Sequence, residues 1–437
     1  MIRKFGFAGV AALAILAMSG AAPAAAATPT EGLWYYDLAH IADAQAAGIT
    51  GDGVTIAVLD SPINTQVPTL ANANIEVQEP SYCYDKSGKR APATSTDLDG
   101  EFSAFHGTNV VSYIAGTGEG YPGQTGIKGV APGAKVLYYA VSLLDEVVDG
   151  GESTACHDKD GNTNYDIVLN DAMNDAMDAG ADIISISAGY PNSTYVTDAF
   201  PRAVREGVVV VGSVANTDAT VLGMNFPAGA NGAVGVQAAD RDGVIKTTDG
   251  RANADEQTMV IAPGIGVLSQ GTRSSDGVGT PSWEQQTLAN GTSIAAPIAA
   301  GFVALGMQKW PDATGNQMLQ SLIRTTGGDT HEPIYDSTEL IGYGFASATG
   351  LIANDPSQYP DENPLLGNNE FPLLSEIFTD STADPTATAA PDDVADGRPD
   401  VGIILIVVVG VLLVAGGVVL AIVFSVRRSR RSPPKIQ

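Results

Sequence analysis

Five short runs in this chain, at residues 54–59, 135–141, 182–186, 208–211 and 234–236, are rich in β-branched residues, apolar on both faces, and bounded by Gly, Asp or Pro. A strand with one wet face alternates apolar and polar side chains. A run such as Val54-Thr55-Ile56-Ala57-Val58-Leu59 does not, and must be covered from both sides, as in a parallel sheet between helical layers. Helical patterns fall between or after these runs, over 106–115, 167–179, 199–206, 293–309 and 316–325. Alternating β and α with right-handed crossovers predicts an α/β fold, a three-layer sandwich around a central, mainly parallel sheet. Chemistry in such sheets collects at the carboxyl ends of the strands.

The ends of the 437-residue chain have a different character. Arg3 and Lys4 precede an apolar run from Phe5 to Met18, and Ala25-Ala26-Ala27 supplies the small residues of a cleavage site, so residues 1–27 read as a secretory signal. An N-terminal anchor is the alternative, but the run is short of the roughly 20 residues a span needs. Residues 402–426 carry no charge and lead directly into Arg427-Arg428-Ser429-Arg430-Arg431. That pattern predicts one transmembrane helix over 401–426 and a basic cytoplasmic tail over 427–437, with the body outside the cell membrane. Residues 357–400, rich in Pro, Asp, Thr and Ala, read as an acidic tether spanning on the order of 40 Å. Within it, Pro364-Leu365-Leu366 and Phe371-Pro372-Leu373-Leu374 are apolar enough to dock on the body or on a partner.

All 49 Asp and Glu lie between the two ends, against 15 of the 22 Lys and Arg. A body so acidic excludes nucleic acid as a partner, since phosphate contacts need clustered cations. Cys83 and Cys156 are the only cysteines, and in an oxidising compartment one disulfide between them is the economical reading, against two buried thiols.

Three short motifs carry chemistry. The first strand ends in Asp60-Ser61-Pro62, which puts a carboxylate at its carboxyl end. His106-Gly107-Thr108 opens an apolar helix, with Gly107 leaving room beside the imidazole for a substrate chain. Asn290-Gly291-Thr292-Ser293-Ile294-Ala295-Ala296-Pro297 sets a serine at a helix start and a proline inside that helix, where proline is disfavoured. A strand-end turn residue and a helix-capping serine are the bland alternatives for Asp60 and Ser293.

Taken in order, Asp, His, Ser, the motifs resemble those of the subtilisin-like serine peptidases, the subtilase family. The resemblance runs from about Trp34 to Asn354 and takes in Gly129-Val130-Ala131-Pro132-Gly133-Ala134, Phe226-Pro227-Ala228, Val234-Gly235-Val236 and Ala262-Pro263-Gly264. It implies a domain over 28–356 that hydrolyses peptide bonds through an acyl-enzyme. Ser293 is then the nucleophile, His106 the general base and Asp60 its orienting carboxylate. Asn216, after the run 208–211, is implied as the oxyanion donor, and Ser185-Ile186-Ser187-Ala188-Gly189 as a wall of the substrate cleft.

Three departures from the family stand out. Pro62 replaces a glycine, Asn109 stands where a second histidine is usual, and only residues 28–59 separate the expected cleavage site from Asp60, too few for the usual folding pro-domain. Residues 28–48, with a helix over 37–47, resemble the family's N-terminal lead-in. A short lead-in, an acidic tether and a C-terminal anchor are similar to the membrane-held mycosin branch, which implies limited processing of exported proteins beside a type VII-like secretion complex. A catalytically silent subunit that stabilises such a complex is the rival expectation. No cofactor is required. Asp158-Lys159-Asp160-Gly161-Asn162 spaces oxygen side chains as calcium loops do, but without the glycine and glutamate placement of an EF-hand, so it reads as a polar turn with calcium as the alternative.

Overall fold

The computed structural model describes residues 31–85, 87–148, 151–158, 160, 165–190, 198–215, 226–245, 247–248, 251–252, 257–277 and 279–378. Among these, a seven-stranded sheet is built from β1 (Thr55–Asp60), β2 (Ile75–Gln78), β5 (Lys135–Ala140), β8 (Ile183–Ile186), β9 (Val209–Ser213), β10 (Val234–Ala239) and β13 (Val260–Pro263). Its order is β13-β10-β9-β8-β1-β5-β2, and each neighbouring pair is parallel. Eight further strands form antiparallel pairs: β3 (Thr117–Glu119) with β4 (Thr125–Lys128), β6 (Leu143–Val148) with β7 (Gly151–Ala155), β11 (Thr247–Thr248) with β12 (Arg251–Ala252), and β14 (Ile265–Thr272) with β15 (Ser282–Asn290).

The helices are α1 (Trp34–Leu38), α2 (Ile41–Ala46), α3 (Phe105–Ala115), α4 (Tyr165–Asp178), α5 (Ala199–Glu206), α6 (Thr292–Lys309), α7 (Gly315–Arg324), α8 (Ala348–Ala353) and α9 (Leu374–Ile377). Strand alternation divides the core in two. Ile56, Val58, Val136, Tyr138, Val209 and Val211 face one way and pack with α3, α6 and α7. Ala57, Leu59, Leu137, Tyr139, Ile184 and Val210 face the other way and pack with α4 and α5. This is the expected three-layer sandwich, since a strand apolar on both faces is stable only with both covered.

The disulfide forms between Cys83 and Cys156, both fully buried in the second cluster. The lead-in departs from a single helix over 37–47. It breaks into α1 and α2 at His40, whose left-handed φ of 54° interrupts the helix. The tether expected from residue 357 onward also differs. Residues 357–378 lie against the body, with Leu365 of the first apolar piece, Pro372 of the second and Ile377 buried, while Phe371, Leu373 and Leu374 stay exposed. Among the described residues no helix is long and apolar enough to cross a membrane, and the signal, 379–400 and the predicted span and tail lie outside them.

Candidate active site

Asp60 is the last residue of β1, on the same parity as Ile56 and Val58, so its carboxylate turns toward the α3 and α6 layer. It is 2 % exposed. Oδ1 accepts from the Ser61 N–H at 2.7 Å and pairs with Nδ1 of His106 at 2.7 Å, while Oδ2 is buried without a hydrogen-bond partner.

His106 lies in the first turn of α3, with its side chain 37 % exposed. Burial by itself would push the imidazole down; the charge of Asp60 and the hydrogen bond to it outweigh that and hold it above the ordinary histidine value, with Arg273 pulling weakly the other way. Gly107 is required here for a reason other than room for substrate. A Cβ would stand 2.8 Å from the Ser61 carbonyl and 2.9 Å from that of Pro62, and would overlap the Tyr138 hydroxyl, so glycine lets the first turn of α3 lie on the turn after β1.

Ser293 is the second residue of α6. The N-cap is Gly291, which gives no side-chain cap, so the serine hydroxyl is not the helix cap. The Gly291 N–H donates to the Gly264 carbonyl at 2.8 Å and the Gly264 N–H to the Ala239 carbonyl at 3.0 Å, which starts α6 at the carboxyl ends of β10 and β13. Pro297 sits inside α6 as expected and has no N–H to give the Ser293 carbonyl four residues back. The Ser293 N–H, in the first turn, has no carbonyl of its own helix to bond. Asp60 and its partner His106 thus lie at the carboxyl end of β1 and Ser293 at the carboxyl ends of β10 and β13, in the same sheet, and α3 packs on α6.

Ser185 and Ile186 end β8, and the register Leu59↔Ile186 carries Ser187 alongside Asp60. The hydroxyls of Ser185 and Ser187 are buried without partners, Ala188 is half-buried and Gly189 exposed, so the segment climbs out of the sheet beside the dyad.

Residues 51–345 match the subtilase family, more than half of the chain. The chain belongs to the subtilase family. The major intracellular serine protease of Bacillus subtilis is 31 % identical over 313 residues, covering 70 % of this subtilase and 84 % of its relative. Fervidolysin from Fervidobacterium pennivorans is 28 % identical over 313 residues, covering 69 % of this chain but only 41 % of its own length. The crystal structure of fervidolysin, a keratinolytic enzyme related to subtilisin, superposes with a TM-score of 0.53 at 24 % identity over 74 % of this chain and 46 % of that one, a likeness of fold.

Asn216 lies outside the described residues. Asn109, at the family's second histidine position, ties α3 to β14: Nδ2 donates to the carbonyls of Phe105 (2.9 Å) and Gln270 (3.0 Å), and Oδ1 accepts from the Gln270 N–H at 2.8 Å. The β14–β15 hairpin is further held by Trp283 Nε1 donating to Thr96 O at 2.7 Å, and it carries the Arg273 guanidinium over the Phe105 ring at 4.5 Å. No local pattern marks Arg273 in the sequence. Asp158 Oδ1 accepts from the Asp160 N–H at 2.8 Å, as in a polar turn, although part of that loop lies outside the described residues. Among the described residues no cluster of three or more His, Cys, Asp or Glu is arranged to hold a metal.

Proposed function

We propose that this subtilase is an exported, membrane-anchored serine endopeptidase working through Asp60, His106 and Ser293. In this reading His106 Nε2 takes the proton from Ser293 Oγ as the oxygen attacks the scissile carbonyl carbon. Asp60 holds Nδ1–H, fixing the tautomer and stabilising the imidazolium. The oxyanion is met by the Ser293 N–H and the side-chain amide of Asn216. Collapse breaks the C–N bond, His106 returns the proton to the leaving amine, and water releases the acyl group from Ser293 by the same relay. The substrate chain lies along 185–189.

The observation that carries this reading is the 2.7 Å bond from the half-exposed His106 to a buried carboxylate with an unpartnered second oxygen. A structural histidine would bury its free edge. The apolar run 402–426 and the signal at 1–27 support anchoring with the body outside, and the acidic stretch 379–400 supports a reach of the membrane suited to limited processing of exported polypeptides, beside a type VII-like secretion complex. No cofactor enters the scheme.

The test is labelling by a fluorophosphonate, which reacts with an activated serine. Wild type is expected to label at Ser293 and Ser293→Ala not to. A folded wild type that stays unlabelled and cleaves no peptide would favour the silent-subunit alternative.

A further inference from the structure

The strap formed by residues 359–378 is fastened to the body at several points, among them a buried asparagine, Asn231. The Asn231 N–H donates to the Phe371 carbonyl at 2.7 Å, its Nδ2 donates to the Pro372 carbonyl at 3.1 Å, and its Oδ1 accepts from the Gly367 N–H at 2.7 Å. Asn231 is 2 % exposed, so no water replaces these bonds when they are lost.

The turn that holds Asn231 begins at Phe226. Phe226 and Tyr190 exchange backbone hydrogen bonds in both directions, at 2.9 and 3.2 Å, and Tyr190 directly follows Gly189, the end of the cleft segment. The turn is stiff: Ala230 N donates to Pro227 O at 2.8 Å and Ala233 N to Ala230 O at 3.0 Å. A second fastening grips its other side. Arg205 Nη1 donates to the Ile377 carbonyl at 2.7 Å, and Arg205 belongs to α5, whose Phe200 ring meets the Phe226 ring edge-on at 5.7 Å. The strap thus holds both the turn and the helix that pack around Phe226.

We propose that Asn231 is a positioning residue for substrate binding: through it the strap fixes the Tyr190–Phe226 pair, and with that pair the outer end of the cleft segment 185–189. The inference rests on the proposed function, in which Ser293 is the nucleophile and 185–189 a cleft wall. A peptide whose side chain must fit that wall binds less well when the wall is loose. The bond-making centre is set by β1, α3 and α6; on that side the strap packs Leu365 into the α6 cluster and bonds to α7 at Gln317 and Gln320, contacts that Asn231→Ala leaves in place.

The experiment compares full-length wild type, Asn231→Ala and Arg205→Gln on peptides that vary the residue whose carbonyl is attacked. For Asn231→Ala we expect KM to rise about tenfold with kcat changed far less, and the spread of kcat/KM across the series to narrow, a scale suited to a sub-ångström displacement of a binding wall. Arg205→Gln, at an exposed position, is expected to move both quantities the same way by less, and it carries the test if Asn231→Ala does not fold. Wild-type KM and spread in a folded variant, whatever its melting temperature, would overturn the proposal and leave the strap a stabilising brace. A wild type that neither labels nor cleaves would instead remove the catalytic reading beneath it.

Discussion

The two faces of the central sheet are covered differently. On one, α6 is a helix of small side chains, with Ala295, Ala296, Ala299, Ala300 and Ala304 excluded from solvent, and a Cβ at Gly301 would stand 2.8 Å from Val130. Small residues bring the helix close to the strands and leave little slack in the height of its first turn, where Ser293 sits. The other face has α4 and the eight-residue α5, and it is in this cluster that the disulfide and Ile377 of the strap lie. The proposed nucleophile sits on the face that close packing makes rigid; the disulfide lies on the face with less helix over it, and the strap reaches both, Leu365 into the first cluster and Ile377 into the second.

Substitutions on each face test that difference. The sharpest is Ser293→Ala, for which kcat should fall about 10⁶-fold, the scale known for a subtilisin. The melting temperature should hold, since the hydroxyl caps nothing. Substantial residual turnover would unseat Ser293. Asp60→Asn should cost about 10⁴-fold in kcat by misorienting the imidazole. It should also move the acid limb of kcat/KM to lower pH, because the charge that raises His106 is gone.

On the clamped face, the double change of Cys83 and Cys156 to Ser should remove about 2–4 kcal/mol of stability, read by denaturant unfolding. The kcat/KM well below the melting temperature should stay unchanged. A large loss of activity in the folded double variant would end the division between faces.

The smallest effect is expected at Arg273→Gln. His106 must be neutral to act as base, so activity is lost as pH falls through its raised value. The Arg273 cation opposes protonation, so removing it should shift the acid limb to higher pH. A shift to lower pH, or none in a pH–rate profile, would show that the hairpin charge does not reach the imidazole.

Much of the fold could be read from the residues. Continuous apolar runs gave β1, β5, β8, β9 and β10 within a residue or two at their starts, because burial on both faces leaves no polar position. β2 escaped because it is the edge strand, where Ile75-Glu76-Val77-Gln78 alternates and Glu76 pairs with Lys135 at the surface. The hairpin escaped because β15 is largely polar and half-exposed. The stretch to 378 has a tether's composition yet packs on the body through Leu365, Ile377 and hydrogen bonds that include those of Asn231, in line with the docking its apolar pieces also allowed. Of the site, Asp60, His106 and Ser293 were legible as motifs; the reason for Gly107, the staple at Asn109 and the position of Arg273 were not.

Periodicity and short motifs act within a turn or two of chain, so the residues alone were enough for the layered α/β class and for the order of the Asp60, His106 and Ser293 motifs. It took the folded molecule to show that Asp60 meets His106 at 2.7 Å, that Asn109 is bonded to a residue 161 positions away, and that a stretch with a tether's composition is fastened to Asn231. Those contacts depend on how closely helices settle on the sheet, a property of whole packed layers.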